Sequence, residues 1–168
     1  MKINRPLLHL LFVFVLGSCG KGVSPAPGVN PNLVVIENAL DSFIGTLLVK
    51  PPTQADLGGR IYNYLAAHLA IFYGSTVTLL DSNGKAIYSP YCFRKNGGID
   101  SVSLMAPSYK IDSQDWLRQP IDKGFSVWTA PYFDAGGGEI WMRTRSVPVY
   151  LNGKLIFVAT TDLQVDKP

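Results

Sequence analysis

Residues that build reactive centres are scarce in this chain, which contains two cysteines and two histidines among 168 residues. Cys19 lies near the N-terminus, so Cys92 alone remains for the folded part. One thiol supports neither an intrachain disulfide nor a zinc site. His68 lies in an apolar stretch with helical spacing and is interpreted as a packing or surface residue. The sequence therefore predicts no metal ion, no cofactor and no zinc or Cys–His enzyme.

Charge is also sparse, because 16% of the residues are charged whereas 47% are apolar. This balance excludes a disordered chain, and the length suits one domain with its own core. The formal net charge of +3 arises from 15 basic and 12 acidic residues. Residues 1–18 include Lys2 and Arg5 but no acid, so 13 basic residues face 12 acids in the remainder. Such a balance gives no electrostatic basis for binding nucleic acid.

The N-terminal apolar run, residues 7–16, is too short for a transmembrane helix, which needs roughly twenty apolar residues. Because it follows two cations, it has the form of a signal-peptide core. The run ends in Leu-Gly-Ser-Cys, which resembles a bacterial lipobox. The sequence thus predicts a lipoprotein signal peptide over residues 1–18. An ordinary secretory signal followed by a chance cysteine is the alternative.

Cys19 would then be the first residue of the mature protein and would carry lipid such as palmitate. Several acyl chains, each contributing about 0.8 kcal/mol per buried methylene, anchor a protein stably. The predicted location is the cell envelope, on the extracytoplasmic side of a membrane (the periplasm in a Gram-negative cell). Residues 19–30 are rich in glycine and proline, and they are interpreted as the lipidated cysteine followed by a flexible tether.

Two amphipathic helices are predicted next. Asn30 and Pro31 are typical of a helix start, and apolar residues at helical spacing continue to position 49. Thr53 and Asp56 have the spacing of a capping box at the start of a second helix. Its apolar stripe is expected to end at Gly74 and consists of Leu57, Ile61, Leu65, Leu69 and Phe72.

Beyond Gly74 the pattern changes to strands. Residues 75–81 and 86–89 flank an Asn-Gly turn, and residues 139–151 and 154–162 flank another. The polar segment between these hairpins, residues 108–124, predicts a short helix with loops. This order favours an α+β fold in which an antiparallel sheet carries helices on one face, as in PAS-like modules.

Several fragments resemble Cache domains, which are PAS-like extracytoplasmic sensor modules of bacterial chemoreceptors, histidine kinases and membrane-anchored serine phosphatases. The resemblance runs from about residue 33 to 166 and implies a single Cache-like sensor domain over residues 31–166. The fragments, in chain order, are PYCFR at 90–94, DWLRQP at 115–120, WTAPYFDAGGGE at 128–139, SVPVY at 146–150 and TTDLQVD at 160–166.

The resemblance also implies a ligand pocket. Members that bind amino acids carry a tyrosine, then an arginine and a Trp-Tyr pair, then a later tyrosine and an aspartate. Two positions depart from that pattern, because Gln114 replaces the arginine that holds the ligand carboxylate and Leu117 replaces the second tyrosine. The implied ligand-binding residues are Tyr109, Gln114, Trp116, Tyr132 and Asp162.

The three glycines at 136–138 have other interpretations. A phosphate loop would place them before a helix, often with a lysine, but here they precede an alternating strand. A tight connection with positive φ angles is the favoured interpretation. Asp134 and Glu139 could form an acid–base pair, but a solvated loop acid and a strand-start acid are the favoured interpretation.

These observations predict a lipid-anchored sensor domain that binds a small molecule, an amine or an amino-acid-like compound, and is not an enzyme. Its partners would be the membrane and a receptor, kinase or phosphatase within it. A structural or interaction protein without a ligand pocket is the main alternative. A hydrolase is a weaker one, because no Ser/His/Asp or metal constellation is present.

Overall fold

The computed structural model of the protein describes residues 30–168. The predicted signal peptide, the lipidation site Cys19 and the tether up to residue 29 lie outside the described residues. The described elements are α1 (Pro31–Val49), α2 (Gln54–Ala66), β1 (Gly74–Leu80), β2 (Ala86–Tyr88), β3 (Pro90–Lys95), β4 (Gly98–Ser103), a 3-10 turn (Ile111–Ser113), α3 (Asp115–Lys123), β5 (Val127–Trp128), β6 (Tyr132–Phe133), β7 (Trp141–Leu151) and β8 (Lys154–Gln164).

The helix α1 begins and ends where the sequence predicts. The side chain of Asn30 accepts a hydrogen bond from the backbone N–H of Asn32, and Pro31 occupies the first turn. By length and composition alone α1 could cross a membrane, with a mean hydropathy of 1.4. In this fold, however, Leu40 and Leu47 are fully buried in the core. The apolar stripe of α1 therefore serves the packing of the domain.

The helix α2 starts with the predicted capping box, since Thr53 and Asp56 exchange side-chain and backbone hydrogen bonds. The predicted end was wrong: α2 stops at Ala66, and residues 67–71 form turns. In these turns His68 N–H bonds to the carbonyl of Leu65 and Phe72 N–H to that of His68. Because the turns keep Phe72 directed into the core, the apolar spacing imitates a longer helix.

The eight strands form one antiparallel sheet whose main order is β4-β3-β1-β8-β7-β5, with β2 on β1 and β6 on β7. The two predicted hairpins, β1–β2 and β7–β8, are confirmed. A third hairpin, β3–β4, was not predicted, although its turn at Asn96 and Gly97 carries the same Asn-Gly signal. The central pair joins β1 to β8, which are distant in the chain.

The N-terminal helices lie together on one face of the sheet, as predicted, and the short helix α3, whose face was not predicted, lies on the other. The N-terminal helices α1 and α2 pack on the face that carries Val77, Phe157 and Ala159. The short helix α3 packs on the opposite face, where Trp116 and Leu117 contact the cluster that includes Val158. Because side chains alternate along a strand, consecutive residues of β8 serve the two faces in turn.

Candidate functional site

The face beneath α3 carries polar groups at the centre of the sheet. Asp162 on β8 lies directly opposite Thr144 on β7 and Gly74 on β1. Asp162 is 3% exposed and Thr144 is 1% exposed. A carboxyl group thus lies within the sheet core, where burial disfavours its charged form unless partners compensate.

The two oxygens of Asp162 each receive one hydroxyl. Tyr91 OH donates to Oδ2 at 2.8 Å, and Thr144 Oγ1 donates to Oδ1 at 2.7 Å. Among residues 30–168, no cation contributes to the shift of its pKa. Burial, the largest influence, together with the nearby Asp134 charge, raises the pKa of Asp162 to about 7, although the two hydroxyl bonds act in the opposite direction. The carboxyl group therefore titrates near neutral pH.

A second carboxyl group, that of Asp134, is also buried, and the interpretation of this residue as a solvated loop acid was wrong. Asp134 is 5% exposed. Tyr109 OH donates to its Oδ1 and Gly138 N–H donates to its Oδ2, each at 2.7 Å. Burial is again the main cause of a raised pKa for Asp134. Glu139, by contrast, is exposed, so the two acids do not form a buried catalytic pair.

The loop that contains the three glycines, residues 134–139, folds around the Asp134 side chain. Gly136 has a positive φ of 83°, as expected for a tight connection, but Gly137 and Gly138 do not. They are glycines because space is short: an added Cβ on Gly137 would collide with the Asp134 carboxylate, and one on Gly138 would lie 2.7 Å from Met142 and 2.9 Å from Tyr73. The loop therefore closes over the site by close packing.

The three predicted residues before and within α3 form one connected group. Trp116 Nε1 donates to Tyr109 OH at 3.1 Å, and Gln114 Nε2 donates to the Tyr109 carbonyl at 2.7 Å. Since Tyr109 OH in turn donates to Asp134, the indole is linked to a buried acid through one hydroxyl. Burial raises the pKa of Tyr109, so it stays a protonated donor.

The other two predicted residues, Tyr132 and Asp162, are joined through Thr144. The hydroxyls of Tyr132 and Thr144 lie 2.8 Å apart. Because Thr144 gives its only proton to Asp162, Tyr132 must be the donor in this contact. All five predicted residues thus lie in one region of the structure. They form two hydrogen-bond chains, one that ends at Asp134 and one that ends at Asp162.

A cavity of about 330 Å³ lies beside these two hydrogen-bond chains. Trp116 and Tyr132 form part of its wall. Tyr109, Asp134 and Asp162 are not among the lining residues and are joined to the wall by hydrogen bonds. Within the described chain the cavity lining includes Asp115 but no lysine or arginine. Its residues are Ser113, Gln114, Asp115, Trp116, Gln119, Thr129, Ala130, Pro131 and Tyr132.

A larger groove of about 590 Å³ lies on the other face, between α2 and the β3–β4 hairpin. Gly58, Tyr62 and Cys92 are among the residues that line it. Burial raises the pKa of Cys92 to about 11, so this thiol is unreactive at neutral pH. The groove has more volume than the α3-side cavity. Hydrogen bonds from Trp116 and Tyr132 in the cavity wall, however, lead to the buried acids Asp134 and Asp162, and this chemistry favours the α3 side as the candidate site.

An antiparallel sheet with N-terminal helices on one face and a polar site under loops on the other defines a Cache-type sensor fold. The model of the family described as methyl-accepting chemotaxis protein-like, first PDC sensor domain, matches residues 60–167. The chain belongs to this family. No curated protein sequence matches the chain.

Solved structures share the fold. One is the extracellular domain of the histidine kinase soHK1S-Z6, with 24% identity, a TM-score of 0.65 and coverage of 81% of this chain and 56% of that one. Another, methyl-accepting chemotaxis protein X, has 18% identity, a TM-score of 0.62 and coverage of 80% and 56%. A third is the ligand-binding domain of the Pseudomonas aeruginosa PAO1 amino acid chemoreceptor PctC in complex with GABA, with 18% identity, a TM-score of 0.58 and coverage of 80% and 57%. The chain thus spans little more than half the length of these relatives.

The ligand-binding residues implied by the sequence did not include Asp134 and Tyr91, two residues of the candidate site. Asp134 lies two residues after Tyr132, and only the fold shows that its loop turns inward. Tyr91 lies in the unpredicted strand β3, although it occurs within the quoted PYCFR fragment. The alternation of β3 was the available signal, because it places Tyr91 and Phe93 together on one face.

Proposed function

We propose that the protein is a lipid-anchored extracytoplasmic sensor domain that binds a small amine in the α3-side site and signals through a membrane partner. The partner would be a receptor, kinase or phosphatase. Membership of the chemoreceptor-type sensor family supports the sensing role. The single observation that carries the choice of ligand is the pair of buried acids, Asp134 and Asp162, which lack a cationic partner in the described structure.

An ammonium group would complete this site electrostatically. A buried carboxylate without a cation is unfavourable, and an ion pair with several hydrogen bonds offsets the desolvation. Charge-assisted hydrogen bonds are about twice as strong as neutral ones. Trp116 and Tyr132 would add cation–π attraction of roughly 0.5–2 kcal/mol. Tyr132 OH and Thr144 OH would exchange their present bonds for bonds to the ligand.

A ligand carboxylate finds less support. Gln114 stands where the resemblance pattern has arginine, and its amide already donates to the Tyr109 carbonyl. The relative PctC is solved with GABA, which carries both an ammonium and a carboxylate group. For this chain we expect the ammonium group to dominate recognition, so that amines bind better than free amino acids or organic acids.

Calorimetric titration with three matched probes tests the proposal: n-butylamine, γ-aminobutyrate and butyrate. We expect n-butylamine to bind best and butyrate not to bind. A ligand at 100 times its dissociation constant should add about 2.7 kcal/mol to the free energy of unfolding.

Two variants and one control sharpen the experiment. Asp162→Asn should weaken n-butylamine binding because it removes the charge and keeps the shape. Gln114→Arg should shift preference toward γ-aminobutyrate, since it supplies a carboxylate partner. Asp166→Asn removes an exposed acid near the chain end and should leave binding unchanged. Binding of butyrate alone, unaffected by Asp162→Asn, would refute the pocket assignment. Failure of all three probes would favour an interaction protein with a closed pocket.

A further inference from the structure

We infer that Tyr91 is a positioning residue of this site, which holds one oxygen of Asp162 so that a ligand ammonium reaches only the other oxygen. The inference rests on the proposed function, because it assigns Asp162 the role of ammonium partner. Tyr91 is not one of the residues in the amino-acid pocket pattern. Its role follows from how its side chain crosses the sheet.

Tyr91 reaches Asp162 across an intervening strand. Tyr91 lies on β3 and Asp162 on β8, with β1 between them. Phe93, Gly74 and Asp162 are paired in register across the three strands, so the Tyr91 side chain must pass over Gly74. An added Cβ on Gly74 would lie 2.6 Å from the Tyr91 ring carbon Cζ and still closer to the hydroxyl. The missing side chain at position 74 therefore makes the contact possible.

Space explains this glycine, since Gly74 is not among the residues with positive φ. The Tyr91 ring is fixed on its other sides as well. It stacks on Phe93 with ring centroids 5.4 Å apart, and a Cβ on Gly138 would lie 3.1 Å from the Tyr91 hydroxyl. Gly138 is itself held by a 2.6 Å bond from Tyr73 OH to its carbonyl. The hydroxyl of Tyr91 is thus enclosed between β1 and the glycine loop.

This enclosure gives the Asp162 carboxyl group two unlike oxygens. Oδ2 faces the fixed Tyr91, whereas Oδ1 faces Thr144, which is linked to Tyr132 in the cavity wall. A ligand that enters from the cavity meets the Oδ1 side first. The groups that influence Asp162 from the packed elements are Tyr91 on β3, Thr144 on β7 and Asp134 in the glycine loop.

The Asp162 carboxyl titration, measured by carbon-13 NMR on the full-length protein without ligand, tests the contact directly. The donated bond from Tyr91 favours the ionised carboxylate. Tyr91→Phe keeps the ring and deletes the donor, so the midpoint of the Asp162 titration should rise above that of the wild type. A rise of one pH unit from about 7 leaves about one-fifth as much carboxylate ionised at pH 7. Affinity for n-butylamine at pH 7 should then fall about fivefold and recover at higher pH.

Gly74→Ala provides a second route to the same effect, because it should expel the Tyr91 side chain from its place over β1. We expect the same upward shift in the Asp162 titration, and adding Tyr91→Phe to Gly74→Ala should shift it no further. Gly59→Ala, in an exposed helical position with open space around it, is the matched control and should titrate as the wild type. A Tyr91→Phe titration identical to that of the wild type overturns the inference. Failure of n-butylamine to bind the wild type refutes the proposed function instead, so the two failures are distinguishable.

Discussion

Asp162 combines a structural cost with a proposed binding role. Its folded-state pKa of about 7 lies above the ordinary value of 3.8, so the folded protein retains a proton that the unfolded chain releases between these values. The contribution of Asp162 to the free energy of unfolding is therefore fully present below about pH 4, and it is lost as the pH rises through about 7. A bound ammonium would offset this loss of stability, because it stabilises the ionised form of Asp162.

The raised pKa of Asp162 predicts that the stability of the folded protein depends on pH. From pH 5 to pH 8 the free energy of unfolding of the ligand-free protein should decrease by about 3 kcal/mol because of Asp162. Asp162→Asn should remove most of this decrease and be more stable than the wild type at pH 8. Urea unfolding at both pH values measures the difference. Asp166→Asn should keep the wild-type slope, and a wild type equally stable at both pH values would contradict the prediction.

Single residues also show where sequence reasoning reached its limit. The resemblance to Cache domains implied Tyr109, Trp116 and Asp162 as ligand-binding residues, and the fold brings them into one region. Burial of Asp134 depends on a loop that returns over the sheet, and no local pattern encodes that return. The departure at Gln114 was visible in the sequence, but its bond to the Tyr109 carbonyl was not.

The glycines illustrate how the same residue type acts differently in different elements. Gly138 lies in the glycine loop, where an added methyl group would meet Met142 and Tyr73. Gly59 lies in α2 with no atom within 4 Å of an added Cβ. The loop therefore requires Gly138 for packing, whereas Gly59 lowers the stability of α2.

Alanine substitutions at these two glycines should change the free energy of unfolding in opposite directions. Gly138→Ala should lower the free energy of unfolding by about 1–3 kcal/mol through overpacking. Gly59→Ala should raise it by about 0.5–1 kcal/mol, because alanine favours the helical backbone. Chemical denaturation of both variants provides the measurement. A neutral Gly138→Ala would show that the loop moves aside easily and does not close the site.

Among the helices and strands, sequence signals predicted the features that depend on neighbouring residues, such as helix ends and hairpin turns. The capping residues and the apolar stripe predicted the bounds of α1, and the Asn-Gly turn predicted the β7–β8 hairpin. The end of α2 was missed because the turns after Ala66 preserve the same apolar spacing. The placement of α3 opposite α1 and α2 depends on contacts distant in sequence, which periodicity does not report.

For the whole molecule, the proposed lipid anchor makes a prediction independent of the folded domain. The mature protein should begin at Cys19, which carries acyl chains. Cys19→Ala should abolish lipidation and block cleavage by the lipoprotein peptidase. Intact-mass measurement of the membrane fraction decides this point. A mature N-terminus at another residue, without lipid, would contradict the anchor but would leave the sensor fold unaffected.

The pairing of β1 with β8 also has a consequence for how the chain folds. Gly74 is paired with Asp162, so the centre of the sheet joins segments almost ninety residues apart. Closing such a loop is entropically costly, and folds dominated by distant contacts fold slowly. We expect β8 to complete the sheet late in folding, because its partner β1 is distant in the chain. The core and the candidate site should therefore form together in that late step.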